Sequence, residues 1–181
     1  MNLEQLKYPI GTFKAPNAYT PQLINGFLTD IEAFPARLRA EISGLSDQQL
    51  DTPYRPGGWT LRQLVHHCAD SHANSLVRFK LALTEENPTI KPYFEDRWAE
   101  LFDSTNMPVE PALQMLEGIH ARWVYLLKSL GFDDYKRAFL HPETGSAFSL
   151  GKATALYAWH SNHHLAHVVN LKKKKGWICF F

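Results

Sequence analysis

The chain has 181 residues, a net charge of +1 and nine histidines, a length that suits one domain spanning 1–181 with a core large enough to need no disulfide or metal staple. Apolar residues make up 45% and charged residues 20%, an ordinary globular composition whose charge balance leaves no electrostatic footprint for nucleic acid. No run of about 18 apolar residues could span a membrane, and the opening MNLEQLKYPIGTF lacks the apolar stretch of a secretory signal.

Residues 1 to 19, with Pro9, Gly11 and Pro16, read as an extended lead-in. Thr20-Pro21 then supplies a capping hydroxyl and a first-turn proline. A helical row follows to about Ser43: Leu23, Phe27, Ile31, Phe34, Leu38 and Ile42. Pro35 interrupts it and predicts a kink. Ser46 with Gln49 makes a capping box for a short helix, and residues 51–58 (DTPYRPGG) form a loop. Thr60 with Gln63 caps a long helix to about Thr84. Residues 85–96 connect, a short helix occupies Arg97 to Asp103, and a long helix runs from Val109 to Leu130, closed by Gly131. In 135–149, RAFLH and SAFSL flank PETG as a β-hairpin. Ser149 caps a last helix that ends in the four lysines 172–175. The expected architecture is all-α: one four-helix bundle with short extra helices and a small hairpin.

Seven histidines fall in two clusters, His66, His67 and His72, then His160, His163, His164 and His167. At about 100° per residue, His160, His164 and His167 lie within about 60° of one another. They share a stripe with Ala153, Leu156, Tyr157, Val168 and Leu171, so they point inward. His67 borders the apolar face of the second long helix, in a polar row with Ser71, Asn74 and Arg78 that suggests a cavity wall. His66 is turned about 100° away. Several buried imidazoles without partners are costly. A metal ion relieves that cost, since neutral imidazole is a common ligand. Histidines hydrogen-bonded to core carbonyls or buried water relieve it equally well. His160 and His164, at i and i+4, could share an ion with His67, leaving an open position of catalytic type. Ser161 follows His160 where a zincin motif needs Glu, which excludes that protease mechanism.

Four segments carry a family resemblance: YPIGTF at 8–13, YRPGGWTLRQLVHHCADSH at 54–72, RFKLALTEENPTIKPY at 78–93 and YAWHSNHHLAHV at 157–168. Together they resemble the YfiT-type branch of the DinB/YfiT-like superfamily of metal-dependent hydrolases. The resemblance implies a four-helix bundle with one divalent ion, zinc or nickel, on His67, His160 and His164. It also implies a cytoplasmic homodimer acting on a small molecule. Members of the branch end near the Gly-Trp at 176–177, whereas this chain continues through Ile178, Cys179, Phe180 and Phe181.

Three functions fit such a site. One is hydrolysis, with the ion activating water. Another is a bacillithiol-type S-transferase, with the ion holding a low-molecular-weight thiol as thiolate. The third is a non-enzymatic metal-binding stress protein. No general base stands out. His163, as an outer partner of the site or a proton shuttle, and Asp70, one turn after His67 and able to orient an imidazole, are the candidates; a histidine packed at the stripe edge and a solvated helix carboxylate are their ordinary readings. Arg78 reads as an anion contact or an ion pair, Trp59 and Trp159 as packing, and His72, His120 and His141 as ordinary. Cys68 faces the apolar side and reads as inert. The two cysteines sit far apart, which points to a reducing compartment.

Overall fold

The computed structural model describes residues 3–143 and 145–177. Four long helices dominate: α2 (Pro21–Ile42), α4 (Leu61–Thr84), α7 (Glu110–Lys128) and α8 (Leu150–Lys175). Each start is dictated locally. The Thr20 hydroxyl accepts the Leu23 N–H at 3.2 Å, and the Ser149 hydroxyl accepts that of Lys152 at 3.2 Å. Thr60 and Gln63 form the full reciprocal box at the head of α4. Ser46 and Gln49 do the same for the short α3 (Asp47–Leu50). Gly176, at φ 68°, ends α8 in the left-handed conformation that favours glycine.

Cross-contacts give the topology. α8 runs parallel to α2, as Arg37–Asn162 and Glu41–Lys172 advance together. α7 runs antiparallel to α2, pairing Ile31 with His120 and Arg39 with Glu110. α4 contacts α7 and α8, so α2 and α4 face each other diagonally. Because α4 and α7 point the same way, the chain must return the length of the bundle between them. Residues 85–109 make that return along α4, carrying α5 (Glu95–Ala99) and α6 (Phe102–Asn106). A 3-10 turn (Phe132–Lys136) and an antiparallel hairpin, β1 (Ala138–His141) with β2 (Ser146–Ser149), join α7 to α8.

Three local expectations need correction. The lead-in begins with a short helix, α1 (Leu3–Lys7), supported by a Lys7–Glu4 pair at 3.1 Å. The single helix expected at 97–103 is two helices, broken at Glu100 and Leu101. Gly131 does not close α7: the helix ends at Lys128, and Gly131, at an ordinary φ of −71°, opens the 3-10 turn by donating to Asp134 Oδ2 at 2.9 Å. Pro35 stands inside α2 as expected, and the helix continues past it to Ile42. The segment Ile178–Phe181 lies outside the described residues.

The core forms two apolar halves. One gathers Ile24, Leu28, Phe79, Trp123 and Leu127; the other gathers Phe34, Leu38, Leu64, Leu116 and Val168. Between them, at mid-bundle, lies a layer of imidazoles from α4, α7 and α8. No helix among the described residues is long and apolar enough to cross a membrane.

Candidate metal centre

His67 stands two turns into α4, and His160 and His164 stand one turn apart on α8. The two helices run antiparallel, which sets the three rings against one another. His160 Nε2 lies 3.3 Å from His67 Nε2 and 3.1 Å from His164 Nε2. The three ligand atoms all fall within 4.8 Å of one another. A tetrahedral ion with bonds of about 2.0–2.1 Å holds its nitrogens roughly 3.3 Å apart, so the donor set fits a divalent cation of that kind.

His67 and His164 are buried and His160 is half-buried. Burial, reinforced by His163, pulls the His67 pKa down to about 4. Burial and then the neighbouring imidazoles hold His160 and His164 well below the ordinary histidine value. All three rings are therefore neutral at physiological pH, the state in which imidazole ligates.

Two cavities meet at this point, sharing His160, Glu95 and Asp96. One, of about 470 Å³, contains all three rings and is walled by Tyr8, Arg55, Trp59 and Trp159. The other, of about 480 Å³, is walled by Ser71, Arg78, Tyr93 and Tyr157. The polar row on α4 is thus a cavity wall for Ser71 and Arg78. Asn74 instead donates to the Asp70 carbonyl at 2.9 Å. Arg78 makes no ion pair within 4 Å among the described residues, so the pairing expected of it is not found. The lead-in closes over the site: Trp159 Nε1–H donates to the Gly11 carbonyl at 3.1 Å, and the Trp159 ring stacks on His163 at 4.6 Å. Trp59 lies 4.6 Å from the His67 ring.

His163 lines the same cavity as the three rings, its Nε2 3.2 Å from His167 Nε2 and its buried Nδ1 without a hydrogen-bond partner among the described residues. Burial, then Arg55, lowers its pKa to about 4. Asp70 lines neither cavity and makes no side-chain hydrogen bond to an imidazole among the described residues. Burial, then Asp103, raises its pKa to about 6. Cys68 is fully buried and its thiol is pushed far up by burial. His66 turns to the other side, its Nε2 3.3 Å from the Met107 carbonyl.

Two residues that sequence reasoning treated as ordinary belong to this layer. His72 Nε2 lies 3.0 Å from His160 Nδ1, and His72 Nδ1 lies 2.6 Å from His120 Nε2. His120 Nδ1 donates to the Ile31 carbonyl at 2.6 Å. A signal was present for His120. It sits in the buried row Leu113, Leu116, Trp123, Val124 and Leu127 of α7, where an imidazole must find a partner.

This layer makes the metal-free fold acid-sensitive. Burial pulls His120 from 6.5 to about 4, and burial, then His163 and Arg55, takes His167 to about 3. Below pH 6.5 the unfolded chain therefore binds more protons than the folded one, and stability falls as pH drops. The contribution is complete above the unfolded value and is lost on the way down to the folded one. Urea unfolding should show a midpoint that is level above about pH 6.5 and declines from there to pH 5. The slope is about 1.4 kcal/mol per pH unit for each such imidazole. A midpoint constant over that range would contradict burial of neutral rings.

Comparison with known proteins agrees with this architecture. The DinB superfamily matches residues 30–168. A Bacillus cereus (strain 03BB102) protein named "Putative metal-dependent hydrolase" is 53% identical over 175 residues, covering 97% of this chain and 100% of that one. A Bacillus thuringiensis protein with the same descriptive name is also 53% identical over the same share of each chain. Among solved structures, YfiT from Bacillus subtilis superposes with a TM-score of 0.94 at 45% identity, covering 96% of this chain and 99% of that one. YfiT is described as a probable metal-dependent hydrolase with an unusual four-helix bundle topology. With the family matched across most of its length and the same bundle in a solved relative, the chain belongs to the DinB superfamily, in its YfiT-like group.

Proposed function

We propose that this protein is a hydrolase of small molecules that depends on one divalent ion, zinc or nickel, held by Nε2 of His67, His160 and His164. The observation that carries the proposal is the convergence of these three neutral nitrogens, from two helices, at the edge of an open cleft. The hydrolase names of the relatives support it.

Held by these three neutral imidazoles, which leave its charge undiminished, a divalent ion would supply polarisation of a substrate oxygen and a water pKa lowered to about 7. The chain supplies the rest. Trp59, Trp159 and Tyr8 narrow the cleft around the three rings and limit bulk water. His163 lines the same cavity, with no hydrogen-bond partner at Nδ1 among the described residues, and is the group placed there to relay a proton. Arg78, with Tyr93 and Tyr157, orients the remainder of the substrate in the adjoining cavity.

A screen of small esters and amides, read by product release, tests this proposal with the zinc- or nickel-loaded chain. Chelator-sensitive hydrolysis that falls at least about a thousand-fold in His164→Ala is expected. Turnover seen only with an added low-molecular-weight thiol, yielding a conjugate, would overturn hydrolysis in favour of transfer. Absence of metal-dependent turnover across both screens would leave a metal-binding protein without catalysis.

A further inference from the structure

Pro35 has a consequence on the far side of the core. In an α-helix each N–H bonds the carbonyl four residues back, and proline has no N–H. The Ile31 carbonyl in α2 is thereby deprived of its helical donor. Ile31 is fully buried, where an unpaired carbonyl is costly. The missing donor comes from α7, as His120 Nδ1 lies 2.6 Å from Ile31 O.

That contact fixes protons over three rings. A carbonyl only accepts, so the hydrogen sits on His120 Nδ1. A neutral imidazole carries one N–H, so His120 Nε2 is a bare lone pair. It faces His72 Nδ1 at 2.6 Å, and His72 Nδ1 must therefore be the donor. His72 Nε2 is then a lone pair and faces His160 Nδ1 at 3.0 Å, so His160 Nδ1 donates in turn. The remaining nitrogen of His160, Nε2, is left unprotonated. It is the atom that faces Nε2 of both His67 and His164.

We propose that His72 and His120 are positioning residues of the metal centre: anchored on the carbonyl that Pro35 frees, they lock His160 in its Nδ1–H tautomer and present its Nε2 lone pair to the cation. This rests on the assignment of His67, His160 and His164 as the ligand set. Both residues act through His160. His120 is buried at 3% exposure and His72 at 0%, and neither lines the cavity that contains the three rings. Such outer partners fix the ring orientation and tautomer of a ligating histidine. His164 has no comparable partner, since its buried Nδ1 makes no hydrogen bond among the described residues. His160 is therefore the preset ligand, to which His164 adapts when the ion arrives.

Long-range proton–nitrogen NMR correlation on the metal-free native chain reads the tautomer of each ring. His72, His120 and His160 should all carry their hydrogen on Nδ1. Finding His160 with its hydrogen on Nε2 would overturn the proposal, and this result does not depend on any variant folding. Zinc titration supplies the functional arm. His120→Leu removes both the donor to Ile31 and the acceptor for His72, and should weaken zinc binding about 10–100-fold. His120→Gln, whose amide offers one acceptor and a donor, should recover most of that loss. Native-like zinc affinity in a folded His120→Leu chain would contradict the relay. Failure of the ligand assignment is separately visible: the native chain then takes up no zinc whatever its tautomers, and the proposal falls with it.

Discussion

Alanine at His67, His160 or His164 should abolish stoichiometric metal binding, while His66→Ala retains it. The native chain, loaded with zinc or nickel and desalted, should carry about one equivalent by elemental mass spectrometry. Each of the three variants should carry essentially none. Removing a ligand leaves two nitrogens on an ion that needs at least three protein donors for a catalytic-type site. The loss should exceed the roughly 10–100-fold that outer partners command. His66 is the internal control. It is a buried histidine adjacent to His67 in sequence, yet its ring contacts the Met107 carbonyl on the other side of α4. Full occupancy in His67→Ala would contradict the assignment, as would equal loss in His66→Ala.

Trp123→Ala should cause a large loss of stability. Trp123 is fully buried, and its ring meets Phe79 at 5.1 Å and Tyr157 at 5.2 Å, both edge-on. It also meets His120 at 5.9 Å, so one side chain braces the apolar half of the core and the imidazole layer together. Truncating a buried tryptophan costs about 3–5 kcal/mol through lost burial and the cavity left behind. For a domain of this size each kcal/mol shifts the melting temperature by about 2–4 °C, so a drop on the order of 10 °C is expected in the metal-free chain. Unfolding within about a degree of the native chain would show that the site collapses without cost, contrary to close packing.

Much of the fold was legible because its signals are local. Thr20-Pro21, the Ser46 and Thr60 boxes and Ser149 each fix a helix start through a hydroxyl that accepts an N–H three residues on. The hairpin was legible from two short segments flanking the PETG turn. Helix order around the bundle was not, because it depends on contacts such as Glu41–Lys172 between residues far apart in sequence. The break at Glu100 and Leu101 was also hidden, since nothing there is a strong breaker. Gly131 misled because glycine after a helix usually takes positive φ, and here a side chain of the following turn holds it in an ordinary conformation.

The candidate centre divides the same way. His67, His160 and His164 could be selected because face and spacing on one helix are read directly from sequence. Their meeting across α4 and α8 is what the structure adds. His72 and His120 escaped because their value lies in partners on other helices and in a backbone carbonyl of α2. Pro35 was visible as a helix interruption, but its use as the source of a free acceptor shows only when His120 is placed beside Ile31. Asp70 stands one turn from His67 on the same helix but lines neither cavity, and burial, then the Asp103 carboxylate, raises its pKa to about 6.

The most direct test of the metal centre is anomalous diffraction from a crystal of the native chain grown with zinc. A single strong peak is predicted, about 2.0–2.1 Å from Nε2 of each of His67, His160 and His164. A peak held by other side chains, or none at these three nitrogens despite saturating zinc, would contradict it.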